Sequence, residues 1–261
     1  MSEPDLTTSS RTDLAPMPGP EPAARTPRRF GWPWRVCNGE RLNPCWRAVY
    51  LWLYPPVRAI AAIRYRGIEN VPSTGPAIIV CNHVSHLDPL LVARFLVDVG
   101  RSPHFLAKRE VFAGFTGILM RAVEQIPIDR TSDPSEAFQA ASAALRSGGV
   151  VVIMPEGTIT KDPTGMPGPL KTGAARLAEQ NPGVPLIPIC QWGVQRSINL
   201  YQKRIQLVPR VRHSITAQPR IEFDDNVDVT TLTTMIQNRL TTGVARLRET
   251  EPSPTAPISR T

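Results

Sequence analysis

The chain has 261 residues, 41% of them apolar, and a formal charge of +8, enough for one large domain or two small ones with a sizeable core. The positive balance points to an anionic partner, either nucleic acid or an acidic lipid surface; the aromatic residues, 6% of the chain, are not interleaved with cations as a single-strand binding platform requires. The four cysteines, Cys37, Cys45, Cys81 and Cys190, lack the paired spacing of a zinc finger or a disulfide framework, which implies a reducing compartment.

In chain order, residues 1–40 are basic and Pro-rich with little to bury, and are expected to be a disordered tail. Within them Pro27-Arg28-Arg29-Phe30-Gly31-Trp32-Pro33-Trp34-Arg35 mixes cations with large aromatics, a pattern that suits an interfacial anchor and equally a basic linker whose tryptophans pack on a domain. Residues 41–63 read as a membrane-associating helical segment interrupted at Pro55-Pro56, two short apolar helices that suit a hairpin dipping into one leaflet or a cover for the core. No run approaches the roughly twenty apolar residues of a membrane span. The polar N-terminus does not read as a secretory signal, so a cytoplasmic location is expected, with membrane contact left open.

Residues 64–250 alternate strand and helix. Strands are expected at 63–66, 77–81, 103–107, 125–128, 150–154, 185–190 and 214–223, and helices at 89–96, 115–122, 136–147, 172–179 and 230–248. This pattern gives an α/β fold, a single domain with a mixed central sheet covered by helices. Residues 251–261 alternate Pro with small residues and are expected to be a disordered tail.

The chemistry centres on Cys81-Asn82-His83-Val84-Ser85-His86-Leu87-Asp88, at the exit of the apolar run 77–80. A strand-to-helix turn would hold His83 over a cleft, and four intervening residues let the Asp88 carboxylate return beside the imidazole. That is the base and orienter of a triad; the substrate's own hydroxyl would be the nucleophile. On this stretch alone a hydrogen-bonded structural His and an Asp helix cap fit equally well. His83, His86 and Asp88 also include metal-ligand types, but three neighbours on one turn rarely close a site unaided. Three further strand ends carry charge: Lys108 and Arg109 after 103–107, Arg130 after 125–128, and Glu156-Gly157-Thr158 after the strongly buried run 150–154.

Taken together and in order, these stretches resemble the glycerolipid acyltransferase family, whose best-known members are the 1-acyl-sn-glycerol-3-phosphate acyltransferases. His83 and Asp88 match its His-x-x-x-x-Asp signature, with Asn82 in front. Ile126-Pro127-Ile128-Asp129-Arg130 is similar to the second block, Pro155-Glu156-Gly157-Thr158 to the third and Val184-Pro185-Leu186-Ile187-Pro188-Ile189 to the fourth. The resemblance implies an acyltransferase domain over 64–250 that moves a fatty acyl group from a thioester, on coenzyme A or acyl carrier protein, to the free hydroxyl of 1-acyl-glycerol-3-phosphate, forming phosphatidic acid. It implies no cofactor, metal or nucleic acid, and a peripheral or monotopic place on an anionic membrane at the cytoplasmic face of the plasma membrane.

By the same resemblance His83 and Asp88 are catalytic. Lys108, Arg130, Glu156, Gly157, Thr158 and Lys171 bind substrate, with Glu156 at the acceptor's hydroxyls and the cations at its phosphate. Two positions depart from the family: Glu124 stands where Gly is usual, and Ile159 where an Arg commonly holds phosphate. Lys161 and Lys171 are candidates to replace that charge, and another lysolipid or a polyol is the alternative acceptor. A non-catalytic binder of acidic lipid would also explain the net charge, but it leaves the His and Asp without a task.

Overall fold

A computed structural model describes residues 44–129, 134–193, 198–199, 204–205, 211–224 and 226–250. The two expected tails, the aromatic and basic stretch at 27–35, and Arg130 lie outside these residues.

The runs Ala77–Cys81 (β2), Val150–Ile153 (β5) and Leu186–Trp192 (β6) are buried along their whole length, as strands covered on both faces must be. They lie at the centre of a seven-stranded sheet of order β1-β9-β6-β2-β5-β3-β4. The others are Ala61–Arg66 (β1), Pro103–Lys108 (β3), Ile126–Ile128 (β4) and Val211–Ala217 (β9), while Ile198–Asn199 (β7) and Arg204–Ile205 (β8) form a separate antiparallel pair. Strands β2 to β6 are parallel, and β9 joins β6 antiparallel with β1 parallel to β9, so the sheet is mixed as expected.

Helices Pro44–Ile60 (α1), Asp88–Val99 (α2) and Gly114–Ala122 (α3) pack on one face through Trp46, Leu91, Phe95 and Leu119. Helices Ser135–Arg146 (α4), Gly173–Glu179 (α5) and Val229–Thr250 (α6) cover the other. In α6, Leu232, Ile236, Leu240, Val244 and Leu247 recur at helical spacing and are buried, the stripe that fixes which side faces the sheet.

Several boundaries differ from expectation: the strand expected at 214–223 is Val211–Ala217, and the helix expected at 89–96 runs to Val99. Residues 44–60 form one helix that runs through Pro55 and Pro56, not two helices with a break. The two prolines cannot donate to the carbonyls of Leu51 and Trp52, but both pairs of residues are exposed, and solvent satisfies those carbonyls at little cost. The expected division between 63 and 64 also cuts β1, whose pairing with β9 begins at Ala61, so the last residues of that segment belong to the sheet.

The order of connections fixes where a ligand can sit. The chain leaves β2 through α2 on one face and leaves the adjacent β5 towards α5 on the other. The crevice beyond the carboxyl ends of these two strands is therefore the topological switch point, the usual ligand site of open α/β sheets.

Candidate active site

His83 lies in that crevice, two residues past β2. Its Nδ1 is 2.9 Å from Asp88 Oδ2. Asp88 is fully buried at the first position of α2, with Pro89 next to it, and the same Oδ2 accepts the Val84 N–H at 2.5 Å and the Ser85 N–H at 2.7 Å. The carboxylate thus holds the whole turn as well as the ring. Burial raises its pKa, and the bond to His83 followed by the two amides oppose that rise. With Nδ1 facing the carboxylate, Nε2 is the nitrogen turned to a substrate; the side chain is 17% exposed.

The turn after β5 meets the same residue. Val80 pairs with Ile153, which puts His83 and Glu156 level across the two strands. Glu156 Oε1 accepts the His83 N–H at 2.7 Å and Oε2 accepts the Gly168 N–H at 2.9 Å. The Thr160 N–H donates to the His83 carbonyl at 2.8 Å. Burial pushes the Glu156 carboxyl up, against the lowering by its amide bonds to Gly168 and His83. Gly157 has φ +71°, and a Cβ there would lie 3.1 Å from Lys171 Cε, so the lysine arm crosses directly over the glycine. The Lys171 N–H donates to the Pro155 carbonyl at 2.8 Å, holding both ends of the loop together.

The structure therefore brings His83, Asp88, Glu156, Gly157 and Lys171 into one cluster. Thr158 is exposed on the loop, Lys108 is exposed at the end of β3 beside β5, and Arg130 lies outside the described residues. Ile159 is buried, so the position that departs from the family's arginine faces inward. Glu124 has φ +57°, the left-handed region, which gives the physical reason that Gly suits this position.

Gln191 and Thr160 were not singled out from sequence, and Asn82 entered only as the residue in front of the His-x-x-x-x-Asp signature. Asn82 and Gln191 clamp β2 to β6: Asn82 Nδ2 donates to the Gln191 carbonyl at 3.0 Å, Gln191 N–H to Asn82 Oδ1 at 2.9 Å, and Gln191 Nε2 to the Asn82 carbonyl at 2.9 Å. The Thr160 N–H holds the His83 carbonyl from the loop after β5. A polar pair at the end of a buried strand signals such a clamp, but its partner 109 residues away is visible only once the strands are paired.

The acyltransferase family profile matches residues 62–192, half of the chain and the whole of this cluster. The chain belongs to the acyltransferase family. Over 139 residues it is 28% identical to the 1-acyl-sn-glycerol-3-phosphate acyltransferase of Bacillus subtilis, covering 52% of this chain and 65% of that one. Over 146 residues it is 34% identical to the mouse 1-acyl-sn-glycerol-3-phosphate acyltransferase alpha, covering 54% and 48%. The matched stretch thus spans from about half to two thirds of these relatives. The crystal structure of the 1-acyl-sn-glycerophosphate acyltransferase from Thermotoga maritima superposes with a TM-score of 0.60 at 20% identity, covering 77% of this chain and 78% of that one, so the two share a fold. In this acyltransferase fold the His83 and Asp88 pair occupies the end of β2.

Proposed function

We propose that the chain transfers a fatty acyl group from a thioester to the free hydroxyl of 1-acyl-glycerol-3-phosphate. The 2.9 Å contact between His83 Nδ1 and the buried Asp88 at the switch point carries this reading. His83 Nε2 takes the hydroxyl proton as the oxygen attacks the thioester carbonyl carbon. The tetrahedral intermediate then collapses, the C–S bond breaks, and the departing thiolate receives that proton, leaving an ester and a free thiol. Asp88 fixes the tautomer and stabilises the imidazolium between the two steps.

Lys108 and Lys171, on the exits of neighbouring strands, supply charge for the acceptor's phosphate, and Arg130, two residues past β4 in sequence, is the third candidate. Coenzyme A or acyl carrier protein is the thioester carrier. The site works against a lipid surface, at the cytoplasmic face of the plasma membrane. Support comes from exposed apolar side chains on two elements: Leu51 and Trp52 on α1, and Val111 just before α3 with Phe115 and Ile118 on it, Trp52 at 84% and Phe115 at 82%. Both elements adjoin the sheet edge that carries His83, because β3 ends there and β1, antiparallel to β2, begins there. Among the described residues no helix is long and apolar enough to cross a membrane.

Purified protein incubated with radiolabelled oleoyl thioester and a panel of lysolipids and polyols tests the reading. Labelled phosphatidic acid is the expected product. Label only in other lipids would move the acceptor, and label in none would remove the activity.

A further inference from the structure

His83 lies just beyond β2, where its peptide N–H and C=O have no strand partner to hold them. The loop after β5 supplies both: Glu156 Oε1 takes the N–H at 2.7 Å and the Thr160 N–H meets the C=O at 2.8 Å. The second Glu156 oxygen takes the Gly168 N–H at 2.9 Å, twelve residues along the same loop. Thr160 Oγ in turn donates to the Met166 carbonyl at 2.7 Å, so the loop is braced internally before it reaches Gly168. Glu156 itself is 6% exposed.

The family resemblance sends Glu156 to the acceptor's hydroxyls, where a carboxylate would face the substrate. Here each of its oxygens is instead engaged by a backbone donor, and one of those donors belongs to the residue that does the proton transfer. We propose that Glu156 is a positioning residue: it pins the His83 backbone to the 157–171 loop, so that the imidazole, oriented by Asp88, and Lys171 stay in fixed relation. Asp88 sets which nitrogen faces the substrate, and Glu156 sets where that nitrogen is. This inference rests on the proposed acyl transfer for its kinetic consequence, while the clamp itself stands apart from it.

Two amide donors converging on one carboxylate need acceptor character on both oxygens. Glu156→Gln keeps shape and volume but sets an NH2 group against one of the two N–H donors, so one bond is lost. A misplacement of about an ångström in a reacting group costs on the order of a hundredfold in rate. Glu156→Gln is therefore expected to lower kcat by tenfold to a hundredfold with the KM for the acceptor nearly unchanged. Glu156→Asp, which keeps the charge but is one methylene short, is expected to fall between the two. A side chain that instead grips the acceptor's hydroxyls would give the opposite split, a raised acceptor KM with kcat little changed, and that result overturns the proposal.

Amide hydrogen exchange tests the clamp without reference to activity. In Glu156→Gln, exchange at His83 or Gly168 is expected to rise at least tenfold, while the amides of Ile78, Ile79 and Val80 in β2 stay protected, which also shows that the variant folds. Unchanged exchange at both His83 and Gly168 overturns the clamp. Faster exchange in a protein whose wild type transfers no acyl group would uphold the clamp and remove the proposed reaction.

Discussion

Asp88 gathers three donors on a single oxygen, and this convergence decides what a substitution there does. Asp88→Asn can keep an oxygen in the place of Oδ2 for all three donors, but it removes the negative charge that stabilises the imidazolium and sets an NH2 group at the buried Oδ1 position, which has no hydrogen-bond partner. We expect kcat to fall by about a hundred- to ten-thousand-fold with the acceptor KM nearly unchanged. Steady-state kinetics on a variant with a normal melting profile checks this, and a near-normal kcat would contradict it. The His83 and Asp88 pairing was legible in the sequence because it is local: both residues sit on one turn, and the turn dictates their approach. The contact from Glu156 to the His83 N–H was not, since it forms only through the parallel register of β2 and β5. Ile159 shows the same limit, because its departure from the family reads as a lost phosphate ligand in sequence and as a buried side chain in the fold.

At the scale of single elements, two residues carry a cost that can be measured. Glu124, at φ +57° between α3 and β4, holds a left-handed conformation that costs a side-chain-bearing residue about 1–2 kcal/mol. Glycine removes that strain but gains freedom in the unfolded chain, so Glu124→Gly is expected to stabilise by about 0.5–1 kcal/mol net in urea unfolding. A loss of stability would show that the Glu124 side chain contributes more than its backbone costs. His213 on β9 is fully buried and hydrogen-bonded to the Trp192 backbone, and burial lowers its pKa from 6.5 to about 3. As pH falls below 6.5 the unfolded chain binds a proton that the folded chain refuses until about 3, so stability is lost through that window as pH falls. Between pH 7 and pH 4.5 this amounts to about 2–3 kcal/mol at ~1.4 kcal/mol per pH unit. His213→Gln should lose that much less stability over the same interval, and an identical pH dependence would contradict the burial argument. Most strands and helices were readable from periodicity, since apolar runs and helical stripes are set locally. The helix through Pro55-Pro56 was not, because whether a proline breaks a helix depends on what surrounds the carbonyls it leaves, and here those residues face solvent.

Across the whole molecule, the opposite exits of β2 and β5 place the His83 and Asp88 pair, Lys171 and the Lys108 end of β3 along one edge, which the start of β1 also joins. The alternation of strands and helices predicted an α/β sheet, but the antiparallel β9 that brings β1 and α1 round to this edge depends on long-range pairing that periodicity cannot encode. If the edge meets a leaflet, replacing the exposed Phe115 and Ile118 with serine should weaken partition into vesicles without affecting the melting temperature, each side chain contributing about 1.5–3 kcal/mol when fully buried. Vesicle flotation measures this, and equal partition of the variant and the wild type would place the membrane contact elsewhere. The central claim is that His83 deprotonates an alcohol for attack on a thioester. Its most direct test is release of free thiol and formation of phosphatidic acid from lysophosphatidic acid and oleoyl thioester, comparing wild type with a folded His83→Ala protein. Equal amounts of thiol and phosphatidic acid from the wild type, and neither from the variant, is the predicted result; comparable turnover by both proteins would contradict it.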